Sequence, residues 1–87
     1  MNKEIEYYNK KYGDDIHKAF IHLIREIGQI AYAIEKSNNP VAVAKITEAS
    51  ALLRFFASKY EIDLESYIQA MYSKKISLLF LLFANAI

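Results

Sequence analysis

Apolar side chains recur at intervals of three and four residues along most of this chain, which is the spacing of an α-helix that packs one face on a core. No alternation of apolar and polar residues is bounded by hairpin turn signals, so no strand is predicted. The clearest helical stripe contains Phe20, Leu23, Ile24, Ile27, Ile30, Ala31 and Ile34. The periodicity therefore predicts an all-α protein, a small antiparallel bundle of about four helices.

Turn and capping residues divide the chain between these helices. Gly13 is expected to end the first helix, and Asp14 or Asp15 can cap the second. Asn39 suits the N-cap of the third helix, because Pro40 then takes the first helical position, where a missing N–H is no loss. The predicted helices cover residues 3–12, a segment ending near 36, residues 40 to about 60, and a last segment that follows Asp63 and continues almost to the C-terminus.

The third predicted helix is apolar on more than half of its circumference. One stripe contains Ile46, Ala49, Leu53, Phe56 and Tyr60, and a second contains Val41, Leu52 and Phe55. A helix that is apolar on two sides needs neighbours on both, and the other helices of a small chain do not supply enough of them. We therefore expect a homo-oligomer.

Composition limits the class of protein further. A chain of 87 residues forms one domain, predicted to span 1–87, and the absence of cysteine gives no argument for secretion, so a cytoplasmic protein is expected. The net charge of +1, with scattered lysines, does not indicate nucleic-acid binding. The charged N-terminal segment is unlike a signal peptide, and no apolar run approaches the roughly 20 residues of a membrane-spanning helix.

Residues 76–87 form an apolar C-terminal extension without a charged side chain. At about 1.5 Å per residue, twelve helical residues span roughly 18 Å, which is well short of a hydrocarbon core of about 30 Å. An apolar segment of this kind is normally buried against another surface. Core packing or a subunit interface is the favoured interpretation, with a different protein partner or peripheral membrane contact as alternatives.

Two helical tetrads carry the candidate chemistry: Glu-Ile-Gly-Gln at 26–29 and Lys-Ile-Thr-Glu at 45–48. Helical residues three apart share a face, so each tetrad presents two polar side chains to one side. With Glu-Ile-Asp-Leu-Glu at 61–65, the tetrads resemble the MazG-like all-α nucleotide pyrophosphohydrolases over residues from about 20 to 75. Those proteins carry Glu-x-x-Glu and Glu-x-x-Asp on successive helices, and the four carboxylates hold magnesium against the phosphates of a nucleoside triphosphate.

The resemblance implies site residues in this chain. Glu26 and Glu48 match metal ligands, while Gln29 and Lys45 stand where the other two carboxylates belong. An alternative alignment places Glu48 at the first carboxylate and Ala51 at the second, but it shortens the following helix by nearly a turn. Candidate nucleotide-binding residues are Lys45, Lys74 and Lys75, and family members assemble as homodimers or homotetramers.

The two replacements change the charge of the site. Two negative charges, one neutral amide and one positive charge replace four negative charges, so we expect no cofactor or only weakly bound magnesium. Lys45 is expected to pair with Glu26, Glu48 or both. His22, four residues before Glu26, offers a second and weaker hypothesis, a transition-metal pair.

Three functions remain open from the sequence. The favoured one is a MazG-like homologue that has lost catalysis and has a structural, regulatory or nucleotide-sensing role. One alternative is an active magnesium-dependent pyrophosphohydrolase, which would convert a nucleoside triphosphate to the monophosphate and pyrophosphate. The other is a small helical oligomer that binds a protein partner through its apolar tail.

Overall fold

The computed structural model describes residues 2–85 of the chain. Over that range the chain forms four α-helices and no strand, which confirms the predicted all-α class and the number of helices. The helices are α1 Lys3–Tyr12, α2 Ile16–Glu35, α3 Asn39–Lys59 and α4 Leu64–Asn85. The part of the predicted apolar extension at residues 86–87 lies outside the described residues.

The helix starts follow local capping chemistry, with one correction. The Asp15 side chain caps α2 by accepting a hydrogen bond from the Lys18 N–H at 3.2 Å. The N-cap of α3 is Asn38, whose side chain accepts from the Val41 N–H at 3.3 Å, and not Asn39 as predicted. The boundary moves because the Asn38 N–H also closes the end of α2, which shortens the connection by one residue.

Helices α2 and α3 end in the same left-handed turn. Ser37 after α2 and Glu61 after α3 have φ of 54° and 55°, a conformation in which glycine is the usual residue. At the end of α3, the Ile62 N–H donates to the Ala57 carbonyl at 3.3 Å, and the Glu61 N–H donates to the Ser58 carbonyl at 3.3 Å. These bonds satisfy carbonyls that the last turn of the helix would otherwise leave open.

A three-helix unit forms the packed part of the protein. Helices α2 and α3 run antiparallel, because Phe20 packs on Phe56 at one end of the pair while Glu26 faces Lys45 nearer the connecting turn. Helix α1 lies across this pair and packs mainly on α3. The buried core consists of Tyr8, Ala19, Leu23, Ala49, Leu52 and Phe55.

Most residues of the predicted apolar stripes are not buried. Leu23, Ala49, Leu52 and Phe55 are core residues as expected, but Tyr60 is 76% exposed. A further set from α2 and α3, which we name the open face, is between 47% and 53% exposed. The open face consists of Phe20, Ile24, Ile27, Ile46 and Leu53. These residues stay accessible because α4 does not fold back onto them.

Helix α4 extends away from the three-helix unit instead of completing a four-helix bundle. Its side chains from residue 65 to residue 84 are all exposed, so it is not part of a core within this chain. The Asp63 carbonyl accepts from the Tyr67 N–H at 3.1 Å, and the Asp63 carboxylate accepts from the Ser66 hydroxyl at 2.8 Å, so α4 begins after Asp63 as predicted. An ion pair between Arg54 and Glu65 ties its first turn to α3.

The apolar character of α4 raises the question of membrane insertion. None of the helices in the range 2–85 combines the length and the hydropathy that crossing a bilayer requires.

Candidate functional site

The candidate site lies between α2 and α3, where a carboxylate occupies a core position. Glu26 follows Ala19 and Leu23 along the buried stripe of α2 and is only 5% exposed. Its carboxyl group faces Lys45 and Glu48, which are the first and last residues of the tetrad on α3. Together with His22, one turn before Glu26, these side chains form what we name the Glu26 cluster.

Lys45 lies between the two carboxylates of the cluster. Its Nζ is 3.5 Å from Glu26 Oε2 and 3.5 Å from Glu48 Oε2, so the ion pairs predicted for this lysine are present. Glu26 Oε2 is buried and accepts no hydrogen bond from the described residues. The lysine therefore interacts with that oxygen through its charge and does not donate a hydrogen bond to it. One ammonium group is shared by the two acids.

His22 completes the cluster on the side of α1. Its Nε2 is 3.4 Å from Glu26 Oε1, and its Nδ1 is 2.8 Å from the Tyr12 hydroxyl. In the neutral imidazole one nitrogen donates and the other accepts, so a Tyr12 hydroxyl that donates to Nδ1 leaves the proton on Nε2, facing Glu26. Tyr12 could not be predicted as part of this cluster, because contact between α1 and α2 leaves no signal in the spacing of either helix.

The pKa values of Glu26 and Glu48 are shifted in opposite directions. Burial raises the pKa of Glu26 above its usual value, and the hydrogen bond to Glu48 and the charge of Glu48 add to the rise, while Lys45 and His22 oppose it. The hydrogen bond with Glu26 lowers the pKa of Glu48, burial opposes this to a lesser degree, and the charge of Lys45 lowers the pKa further. The pKa of the more buried acid is therefore the higher of the two, and Glu26 keeps its proton to a higher pH than Glu48 does.

Tyr8 closes the cluster from α1. Its ring packs edge-on against His22 at 6.0 Å between centroids and tilts against Phe55 at 6.0 Å. Burial raises the pKa of the Tyr8 phenol, and the negative charge of Glu48 raises it further. Tyr8 therefore stays a neutral hydroxyl beside the acids, and α1 limits access of water to them.

Three groups of the cluster can act as metal ligands. One ligand atom each from His22, Glu26 and Glu48 lies within 4.8 Å of the others, a spacing compatible with one shared cation. Lys45 stands against such an ion, because its ammonium already lies at ion-pair distance from both carboxylates. A cation that uses these three ligands must displace the lysine.

The space beside the cluster is small. Gln29, predicted at the position of a lost ligand, lines a cleft of about 190 Å³ together with Tyr12, His22 and Glu26. Binding pockets for small organic ligands usually measure about 300 Å³ or more. The cleft is therefore smaller than a usual ligand pocket and has room for an ion and water.

The two remaining candidate residues lie elsewhere. Lys74 and Lys75 are on the exposed helix α4, and neither contributes to the ion pairs of the Glu26 cluster within residues 2–85. The Lys75 ammonium instead lies over the Tyr72 ring, 5.1 Å from its centroid. One chain thus does not bring Lys45, Lys74 and Lys75 together around a phosphate.

Comparison of the chain with known protein families, with curated proteins and with solved structures finds no match.

Proposed function

We propose that this protein is a MazG-like homologue in which Lys45 has replaced the catalytic metal, and that its role is structural or regulatory. The observation that carries the proposal is the position of the Lys45 ammonium, 3.5 Å from a carboxylate oxygen of Glu26 and 3.5 Å from one of Glu48. Lys45 and Glu48 both lie beside Glu26. This supports the alignment in which they occupy the positions of the family's second pair of carboxylates.

Electrostatics favours the lysine over magnesium. A positive unit charge about 4 Å from the ammonium is repelled by around 4 kcal/mol at an effective dielectric near 20. Magnesium also prefers near-octahedral coordination by oxygen atoms. In this chain Gln29, a neutral amide, and Lys45, a cation, stand in the places of two of the family's four carboxylates. Activation of an attacking water by this set of groups is therefore disfavoured.

The test is a titration of magnesium and manganese into the protein, with and without a panel of nucleoside triphosphates, while heat and pyrophosphate release are followed together. We expect neither signal from the wild type. Lys45→Glu is expected to create binding of divalent metal, because it removes the competing cation and adds a ligand. Lys74→Glu makes the same change of charge on α4 and serves as the matched control, with no gain expected.

Metal-dependent turnover by the wild type would overturn the proposal in favour of an active pyrophosphohydrolase. In that case Glu48→Ala should abolish pyrophosphate release. An unchanged calorimetric trace for Lys45→Glu would instead contradict the assignment of Lys45 to a ligand position.

A second candidate function is binding of a transition metal, favoured by His22 Nε2 beside Glu26 and Glu48. An imidazole nitrogen with two carboxylates suits zinc or cobalt better than magnesium. Titration with cobalt and measurement of its visible absorption would detect the site, and His22→Ala should remove the signal. His17→Ala is the control, since His17 does not belong to the group of ligands.

A further inference from the structure

Helix α4 and the open face are two apolar surfaces of one chain that nothing in the described range covers. The large apolar side chains of α4 from Tyr67 to Phe83 are between 41% and 70% exposed. The five side chains of the open face are between 47% and 53% exposed. Contiguous apolar surface of this extent marks an interaction site.

The open face is continuous and lies on the side of the α2–α3 pair opposite α1. His22 marks the side of α2 that contacts α1, through Tyr8 and Tyr12. At 3.6 residues per turn, Phe20 and Ile27 project roughly 140–160° away from His22. Phe20 meets Phe56 of α3 with ring centroids 6.5 Å apart, so the exposed sides of the two helices join at one edge.

Helix α4 is long enough to cover this face. Its 22 residues span about 33 Å, whereas the open face extends over residues 20–27 of α2 and 46–53 of α3, about 11 Å along each helix axis. A stripe at helical spacing runs along α4 within an arc of roughly 100°. Its apolar members are Ile68, Met71, Tyr72, Leu79 and Leu82, and Lys75 lies in the same arc with its ammonium over the Tyr72 ring.

We propose that α4 of one copy packs along the open face of a second copy, which places its own α4 on the open face of the first. Each chain carries one donor helix and one acceptor face, so a reciprocal exchange satisfies both and closes a two-fold symmetric dimer. The apolar run 78–83 surrounds the helix, and a helix that is apolar on all sides is buried on more than one. Pairing of the two α4 helices over residues 78–83 alone would cover the side of this run that the acceptor face leaves open, and Ser73 lies outside it.

The area available is sufficient for a stable dimer. Burying an aromatic side chain removes about 150–250 Å² from water, and four aromatic side chains of α4 are at least half exposed. They are Tyr67, Tyr72, Phe80 and Phe83. Covering their exposed parts in two copies removes on the order of 1,000 Å², and the aliphatic side chains and both open faces add to it, which reaches the range of about 1,200–2,000 Å² for specific interfaces.

The first test measures mass in solution by light scattering across a dilution series. The wild type is expected at twice the 10.1 kDa of one chain. Leu79→Glu places a charge in the α4 stripe and should halve the measured mass. Ser73→Glu adds the same charge on the opposite side of α4 and should leave the dimer intact, while far-ultraviolet circular dichroism reports helix content for both variants.

The second test identifies the surface against which α4 packs and does not depend on disrupting it. The chain has no cysteine, so single cysteines introduced by substitution react without competition. An Ile27→Cys variant with a mass tag, mixed with a Leu79→Cys variant and mildly oxidised, should give a mixed disulfide. Ile21→Cys replaces the same residue type on the same helix, at 57% exposure, but projects about 120° away from Ile27 and should not give the mixed disulfide.

The results of the two tests either support or overturn the proposed dimer. A wild type that stays monomeric throughout the dilution series overturns it, and flotation of that monomer with phosphatidylcholine vesicles would identify a lipid surface as the occupant of α4. A dimer that yields Leu79→Cys homodisulfides but no mixed product with Ile27→Cys overturns the assigned acceptor face. None of these variants alters the Glu26 cluster, so failure here is separate from failure of the proposed loss of catalysis.

Discussion

The Lys45 ammonium lies 3.5 Å from Glu26 Oε2, an oxygen that is buried and accepts no hydrogen bond from the described residues. A carboxylate in this position is unfavourable unless a positive charge is close to it. Lys45 is 75% buried at its side chain and supplies that charge from the facing helix. The pair therefore joins α2 to α3 at the centre of their contact.

Removal of the Lys45 charge should destabilise the protein at neutral pH. We expect Lys45→Met to lower the free energy of unfolding by about 1–3 kcal/mol, the usual effect of leaving a buried polar group without its partner. The loss should shrink as the pH falls below the ordinary glutamate pKa of 4.5, because Glu26, whose pKa is raised, is then protonated, and the remainder should be lost at the lower pH where Glu48 is protonated as well. Chemical denaturation at pH 7 and pH 4 measures both values.

A surface pair provides the control for that experiment. Lys10 is 4.0 Å from Glu6 with 81% of its side chain exposed, and exposed pairs of this kind contribute about 0–1 kcal/mol. Lys10→Met should therefore have little effect at either pH. A Lys45→Met loss as small as the Lys10→Met loss would contradict the structural role of the cluster.

The opposed pKa shifts of the two acids predict opposite effects of amide substitution. The pKa of Glu26 is raised in the folded protein, so its contribution to stability is present below its unfolded value and is lost as pH rises through the folded value. Glu26→Gln does not titrate and keeps an N–H donor for Glu48. It should therefore be more stable than the wild type at pH 7 and equal to it near pH 4.

Glu48→Gln is the matched variant with the reverse sign. The pKa of Glu48 is lowered, so its contribution is present above the unfolded value and is lost as pH falls through the folded value. This variant should be less stable than the wild type at pH 7, with the difference disappearing in acid. Thermal melts between pH 3 and pH 8 test both variants. If both substitutions change the stability at pH 7 in the same direction, the assignment of the raised pKa to Glu26 and the lowered pKa to Glu48 is refuted.

The left-handed conformation of Glu61 predicts a stabilising substitution. A residue other than glycine loses roughly 1–2 kcal/mol in this conformation, so Glu61→Gly should raise the free energy of unfolding by up to about 1 kcal/mol after the greater freedom of glycine in the unfolded chain is counted. Ser50→Gly on the exposed side of α3 is the control and should lower it by about 0.5–1 kcal/mol. Denaturation midpoints that move in the same direction for both would exclude this account of the turn.

The sequence predicted what local chemistry determines. Gly13, Asp15 and Asp63 mark helix ends through capping, and the three-residue spacing of Lys45 and Glu48 places both on the side of α3 that faces Glu26. Local patterns did not place the N-cap of α3, because Asn38 and Asn39 offer the same side chain and only the turn geometry selects between them. They also gave no sign of Tyr12 beside His22, a contact that depends on how α1 crosses the pair.

The same limit applies to the burial of the apolar stripes. The stripes that contain Ile27 on α2 and Leu53 on α3 each indicate that a helix face packs against another surface, but the spacing does not say whether that surface belongs to the same chain or to another. Periodicity alone favoured a bundle completed by the fourth helix. The direction of α4, fixed by Asp63 and by the ion pair of Arg54 with Glu65, leaves that face open.

Two neighbouring leucines of α3 distinguish the core from the open face. Leu52 is fully buried and Leu53 is 47% exposed, although the two side chains are chemically identical. Leu52→Ala should lower the free energy of unfolding by about 2–5 kcal/mol at every protein concentration, because it creates a cavity inside one chain. Leu53→Ala should have a small effect at high dilution and a larger one at high concentration, where association contributes to stability. Urea denaturation at several protein concentrations separates the two effects, and a Leu53→Ala loss that does not depend on concentration would mean that a second copy does not cover this face.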